Sequence, residues 1–203
     1  MSKKNWKGFA FAAAAVAVAG FGLAVNLPSS EAIANSYLPI DDIVVCDGDK
    51  DHLLQQPDGP FLAVHTSGHL TAVGGQSFAT TDGRVGTYLG VEDVFSSGNV
   101  EGLGNVTFKS DNRAAGKSSI VANQAGRLFP ATQTMRFHFT TSVDGKSYRS
   151  ATPAVVSNSS VSAFPPARGT VYVLTNAVSL LDGAGKVAYN LQPGKAFTIT
   201  SAQ

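Results

Sequence analysis

The stretch "TMRFHFTTSVDGKSYRSA", residues 134–151, decides the fold. Apolar and polar side chains alternate along its first half, so that Met135, Phe137 and Phe139 fall on one side with polar residues between them. A period of two is the pattern of a half-buried β-strand. We expect the aromatic side to face the core, because burying one phenylalanine side chain contributes about 1.5–3 kcal/mol.

The second half of that stretch contains a tight turn. Asp144 and Gly145 separate two alternating segments, and these residue types tolerate the positive φ angles of a type I′ hairpin turn. A second hairpin is predicted at "LLDGAGKV", residues 180–187, which has two glycines between apolar runs. No long segment shows the i, i+3, i+4, i+7 spacing of an amphipathic helix. The sequence therefore predicts an all-β fold, an antiparallel β-sandwich or barrel-like domain.

Short runs rich in Val, Phe, Thr, Tyr and Ile alternate with clusters of Gly, Asn, Asp and Ser along the rest of the chain. This alternation of strand and turn signals predicts many short strands. The predicted strands are 42–46, 61–65, 69–73, 77–81, 85–95, 105–110, 118–123, 134–143, 146–151, 154–164, 170–175, 178–182, 186–191 and 196–200.

The first 34 residues have the pattern of a secretory signal peptide. Three lysines precede an uncharged apolar run at 8–27, and Ala32–Ala34 supplies small residues for cleavage before Asn35. An uncleaved membrane anchor is the alternative, because an apolar run of about 20 residues can span a bilayer. We expect an exported protein, secreted or periplasmic or attached to the cell surface, with a single β-rich domain at 35–203.

Charge and cysteine content limit the partners of the mature chain. Cleavage would shift the formal net charge from +1 to slightly negative, which leaves no basic stripe for nucleic acid or anionic lipid. We also expect no membrane contact after cleavage. Cys46 is the one cysteine, so an internal disulfide is excluded. We expect the Cys46 thiol to be buried, since it follows the apolar run "IVV".

The segment "CDGDKDHLLQQPDG", residues 46–59, concentrates carboxylates in a polar stretch. The candidate calcium ligands are Asp47, Asp49, Asp51 and Asp58. Closely spaced carboxylate oxygens suit calcium, but an EF-hand is rejected because His52 stands where the sharp turn of that loop requires glycine. A looser calcium site between two β elements and an exposed polar turn whose aspartates bind their own backbone remain as the two interpretations.

A pair of histidines marks the segment "FLAVHTSGHLTAV", residues 61–73. If "TSG" forms a hairpin loop, His65 and His69 lie side by side and can bind zinc or copper, with His52 or His138 as a third ligand. In one continuous strand the two would instead be about 13 Å apart, at roughly 3.3 Å per residue, which is too far to share a metal. A pair of surface histidines is the alternative.

No motif in the sequence identifies a catalytic site. The leading hypothesis is an exported, non-catalytic structural or binding component, which acts through a protein partner or through self-assembly at strand edges. The second is a metal-binding protein or metal-dependent enzyme that uses His65 and His69. The third is a carbohydrate-binding module with an exposed aromatic platform, for which the candidates are Tyr88, Tyr148, Tyr172 and Tyr189.

Overall fold

The computed structural model describes residues 43–202, so the predicted signal peptide and its cleavage site lie outside the described part. This part is built of antiparallel strands without helices, and the all-β prediction is confirmed. Accordingly, no described helix is long and apolar enough to cross a membrane. The strands are β1 (Ile43–Gln55), β2 (Phe61–Ala79), β3 (Val85–Val100), β4 (Gly104–Asp111), β5 (Ser118–Ala122), β6 (Ala131–Val143), β7 (Lys146–Ser150), β8 (Ala154–Val161), β9 (Val171–Leu174), β10 (Val178–Leu181), β11 (Val187–Leu191) and β12 (Gly194–Ala202).

Three long strands, β1, β3 and β6, change partners along their length, and together with β2 they belong to two closed rings. The first ring runs β1–β2–β3–β5–β6–β8–β9–β12 and returns to β1. The second runs β1–β2–β3–β4–β6–β7–β10–β11 and also returns to β1. Closing a sheet on itself removes free edges. The interior is therefore one continuous apolar core that passes from one ring to the other.

Residues 134–151, which predict the fold, form most of β6 and all of β7, and their burial follows the predicted pattern with few differences. Met135 and Phe139 are buried, and Phe137 is partly buried against the same core. Asp144 and Gly145 have φ angles of 48° and 77°, as a type I′ turn requires. His138 differs, since it was placed on the polar side but is buried, with Nδ1 3.0 Å from the hydroxyl of Ser150.

Two expected turns are instead strand. The predicted "TSG" hairpin loop is wrong, because β2 runs without interruption from Phe61 to Ala79. Gly68 allows the backbones of β2 and β3 to approach each other closely: a Cβ at this position would lie 2.0 Å from the carbonyl oxygen of Phe95 in β3. The predicted loop that starts at Asp47 is also wrong over most of its length, since β1 continues to Gln55 and pairs with β2 throughout. The hydrophobic residues at both ends of β1 hold these polar positions in the sheet.

Because the backbones of β2 and β3 approach so closely at Gly68, we expect Gly68→Ala to destabilise the fold by about 1–3 kcal/mol or more, the usual cost of forcing extra volume into a packed interior. The added methyl meets backbone atoms, which cannot move aside as a side-chain end can. Urea unfolding followed by circular dichroism measures the loss. Gly183→Ala is the matched control, because a Cβ there meets nothing within 4 Å. Equal unfolding midpoints for the two variants would contradict the close approach of β2 and β3 at Gly68.

Candidate functional site

The candidate site is an apolar cavity of about 40 Å³ at the junction of the two rings. Strands from both rings contribute to its wall, so it lies in the shared interior and not in a surface loop. The buried apolar residues that line it are Leu70, Val94, Phe108, Met135, Phe139, Ala154, Val156, Leu174, Leu191, Ala196 and Phe197. Two ionisable side chains from β1, Lys50 and His52, also line it, and Phe137, Lys109 and Ser110 complete the lining.

Lys50 reaches the cavity because of the period of two along β1. Cys46, Gly48 and Lys50 occupy inward positions, while the aspartates between them point outward. The side chain of Lys50 is 5% exposed, and its Nζ donates a hydrogen bond of 2.9 Å to the carbonyl oxygen of Phe95. The same nitrogen lies 5.0 Å from the centre of the Phe197 ring, within the range of a cation–π contact.

Burial lowers the pKa of Lys50 to about 8, and the negative charge of Asp93 partly opposes this shift. The amine is therefore still mostly protonated at neutral pH, although a small fraction is neutral. Among residues 43–202 no carboxylate forms an ion pair with this ammonium. The cavity thus contains a buried positive charge whose contacts are one carbonyl oxygen and one aromatic face.

His52 is the next inward residue of β1 and separates the cavity from an outer pocket. Its ring centre lies 5.0 Å from that of Phe108. Burial, followed by the nearby charge of Lys50, lowers the pKa of His52 to about 4, so the imidazole is neutral at pH 7. The same side chain lines both the inner cavity and the outer pocket, which has a volume of about 280 Å³.

The outer pocket lies at a gap in the sheet beside β1. On this edge β1 pairs with β12 up to Asp49 and with β11 from Leu54 onward. Between the two ladders, residues 50–53 face the connection from β11 to β12, and the amide of Gln192 donates to the carbonyl of Leu53 at 2.9 Å. The wall beside Lys50 and His52 is therefore held by fewer ladder hydrogen bonds than the strands on either side of it.

A charged cluster stands at the mouth of the outer pocket. Asp51 has one carboxylate oxygen 2.7 Å from His65 Nδ1 and the other 2.9 Å from Lys195 Nζ. Hydrogen bonds from His65 and then Lys195 lower the pKa of Asp51. These side chains are substantially exposed, so each pair contributes at most about 1 kcal/mol to stability.

Two further predicted calcium ligands, Asp47 and Asp49, lie on the outer face of the sheet, each with its own partner. Asp47 accepts a hydrogen bond from Ser201 and Asp49 accepts one from Ser67, at 2.8 and 2.9 Å. Asp58 lies in the turn after β1 with a φ of 59°. Successive outward residues of a strand are about 6.6 Å apart, and the carboxylates of Asp47 and Asp49 are each hydrogen-bonded to a serine.

The two histidines of the zinc or copper hypothesis are separated along β2. His65 contacts Asp51, whereas His69 Nε2 lies 3.0 Å from Asp93. Within residues 43–202 no three His, Cys, Asp or Glu side chains come together as a metal site. Calcium at Asp47–Asp58 and a transition metal at His65 and His69 stay predictions from the sequence.

The tyrosines of the carbohydrate hypothesis do not form one exposed platform. Tyr172 and Tyr189 are buried, at 1% and 8% exposure. Tyr148 packs edge-on against Tyr189, and Tyr88 stacks on Phe78 at 4.5 Å between ring centres.

The structure also brings together a Ser–His pair that the sequence did not indicate. The hydroxyl of Ser150 lies 3.0 Å from His138 Nδ1 and accepts hydrogen bonds from the Phe139 amide and from Arg113. Ser150 is fully buried, and its oxygen is surrounded by these partners. A nucleophile needs a free approach for its substrate. This group therefore fastens the segment that contains Arg113 to β6 and β7.

Comparison with known proteins identifies the architecture and not a family. No protein-family model matches the chain, and no curated protein matches its sequence significantly. Among solved structures, DynF from the dynemicin biosynthesis pathway of Micromonospora chersina has the same fold, with a TM-score of 0.66. The sequences are 17% identical, and the match covers 82% of this chain and 83% of DynF. At this identity the likeness establishes the fold alone.

This likeness corrects the leading functional hypothesis. The prediction of a non-catalytic structural or binding component is wrong, because the fold is shared with DynF, a protein of the dynemicin biosynthesis pathway. Under that hypothesis the function lies in loops and strand edges. The structure instead places the notable chemistry, Lys50 and His52, inside the rings. The signal that could have found them is the alternation in "CDGDKDHLL", which puts both on the side opposite the aspartates.

Burial of Lys50 predicts a specific dependence of stability on pH. The folded pKa of about 8 lies below the ordinary value of 10.5, so the unfolded chain binds more protons between these values. Folding stability should therefore rise as pH increases from 8 to 10.5, by about 3 kcal/mol from this group. The measurement is the free energy of unfolding in urea, compared between the native protein and Lys50→Met, in which this rise is absent.

Lys186→Met is the control for that comparison, because Lys186 is exposed in the turn before β11, away from the cavity, and should leave the rise intact. Parallel curves of unfolding free energy against pH for the native protein and Lys50→Met would refute the burial of a charged amine.

Proposed function

We propose that the protein binds a small, mainly apolar molecule inside the junction of its two rings. The observation that carries this proposal is the apolar cavity whose wall includes a buried ammonium, that of Lys50. Ligand sites in proteins are typically apolar hollows with a few placed polar groups. A core that only stabilised the fold would gain nothing from a buried lysine, since burying a charge is costly.

The closed cavity must enlarge to accept such a molecule. Its volume of about 40 Å³ holds little more than a water molecule, whereas ligand sites commonly measure about 300–1,000 Å³. Met135 is in the wall, and an unbranched methionine side chain adapts readily to new shapes. Displacement of His52 would join the cavity to the outer pocket of about 280 Å³, which brings the combined space into the required range.

The gap beside β1 supplies the entry route in this proposal. Residues 50–53 lie between two ladders, and the outer pocket opens at that point. Its rim is partly apolar, since Leu53 is 46% exposed there and Ala63 lies opposite it across β1 and β2. An apolar molecule can rest on this rim before it passes His52. DynF's place in a biosynthesis pathway agrees with an interior that takes a small molecule, although the argument depends on the cavity.

Binding is tested with the neutral fluorescent probe N-phenyl-1-naphthylamine, whose emission rises in apolar surroundings. We expect saturable binding by the native protein and at least tenfold weaker binding by Ala154→Leu, which fills the cavity. Val156→Ala enlarges the cavity and should keep or strengthen binding. Ala125→Leu, at an exposed position, is the control.

Urea unfolding of each variant shows that it is folded before its binding is measured. Absence of probe binding by the native protein, or equal binding by native protein and folded Ala154→Leu, would refute an interior site.

The entry route generates its own expectation for kinetics. Replacing His52 with alanine removes the side chain between the outer pocket and the cavity, so stopped-flow association of the probe should become severalfold faster. His65→Ala is the matched control, because His65 lies at the mouth but does not reach the cavity. An unchanged association rate in His52→Ala would indicate that the ligand enters elsewhere.

A further inference from the structure

We infer that the ligand of the interior cavity is an apolar acid, whose carboxylate provides the missing counter-ion of Lys50. This inference rests on the proposed function and names the chemical class of the ligand.

The first step is the unbalanced charge at Lys50. An ammonium group carries three donor hydrogens, and within residues 43–202 the protein acceptor for them is the carbonyl oxygen of Phe95, 2.9 Å away. The ring of Phe197 adds a weaker attraction. Buried charges in proteins are normally paired, because an uncompensated charge in an apolar interior costs several kcal/mol.

The second step concerns the charged and titratable groups around the cavity. Asp93 of β3 acts on Lys50 only through its field, since its carboxylate is bound to His69 and Ser110, at 3.0 and 3.4 Å. His52 is on the same strand and is neutral at pH 7. Lys109 of β4 borders the cavity, but its side chain is exposed. The one buried charge that a ligand meets is therefore positive.

The third step compares the ligand groups that can meet this charge. A hydroxyl or carbonyl oxygen can accept a hydrogen bond from Nζ but leaves the positive charge uncompensated. A carboxylate accepts the same hydrogen bond and also neutralises the charge, and such charge-assisted bonds are about twice as strong as neutral ones. Apart from His52, Lys109 and Ser110, the rest of the wall is apolar, so the molecule attached to the carboxylate should be mainly apolar as well.

The test is a competition between two molecules with the same chain and different ends. Dodecanoic acid and dodecan-1-ol each displace N-phenyl-1-naphthylamine from the native protein at pH 7. We expect the acid to displace half of the probe at a concentration at least about tenfold lower than the alcohol needs, which is the factor for one charge-assisted hydrogen bond. Lys50→Met should lose this preference yet still bind the neutral probe, whereas Lys50→Arg and the control Lys186→Met, at an exposed position away from the cavity, should retain it.

Proton uptake on binding gives a second readout. A lysine with only a structural role would take up no proton when the acid binds. At pH 8.5 part of the Lys50 population is neutral, and binding of a carboxylate should draw a proton onto it. Calorimetric titration with dodecanoic acid in two buffers of different ionisation enthalpy measures this uptake, which should vanish in Lys50→Met.

The outcomes separate the two proposals. If the neutral probe and both competitors fail to bind, the interior site itself is refuted and the acid with it. If the probe binds but the alcohol competes as well as the acid, or Lys50→Met keeps the preference for the acid, the interior site stands and the acid ligand is refuted.

Discussion

The structure depends on the pairing of β1 with β2 along the whole length of β1. This ladder fixes the faces of β1, so that its aspartates stay in water and Lys50 and His52 enter the interior. Because a shift of one residue would reverse both faces, the register is determined by the burial of apolar residues such as Val44 and Leu54. The opposite edge of β1 pairs first with β12 and then with β11, and this change of partner closes both rings and leaves the gap between them.

The interior chemistry follows from that arrangement. A long strand shared by two rings brings a lysine to the point where the rings meet, on the face of β1 opposite its aspartates. The electrostatic result is a cation with one carbonyl oxygen and one aromatic ring as its contacts. An uncompensated buried charge lowers the stability of the fold, and a ligand that neutralises it would offset this cost. This contrast supports the proposal of a binding site at the junction, whereas the outer carboxylate–histidine pairs lie on the solvated face of the sheet.

Much of the fold could be predicted from the sequence, because alternation in β6 and the turn at Asp144 are local signals. The rings could not, since they depend on pairings between distant strands. Two local signals are misleading. Gly68 indicates a turn by composition, but its role is to let β2 and β3 approach each other closely. The aspartates of β1 indicate a loop but belong to a strand. Interpreting β1 as a loop makes no use of its period of two, so the sequence prediction does not place Lys50 or His52 inside the rings.

The most direct test of this account is an NMR titration of the Lys50 side chain, with the ammonium resonance assigned by comparison with Lys50→Arg. The account predicts a pKa of about 8 in the ligand-free protein and an upward shift when a saturating apolar acid is added. A pKa at the ordinary value of 10.5 that does not respond to the acid would contradict it, because Lys50 would then be neither buried as a charge nor the partner of a carboxylate.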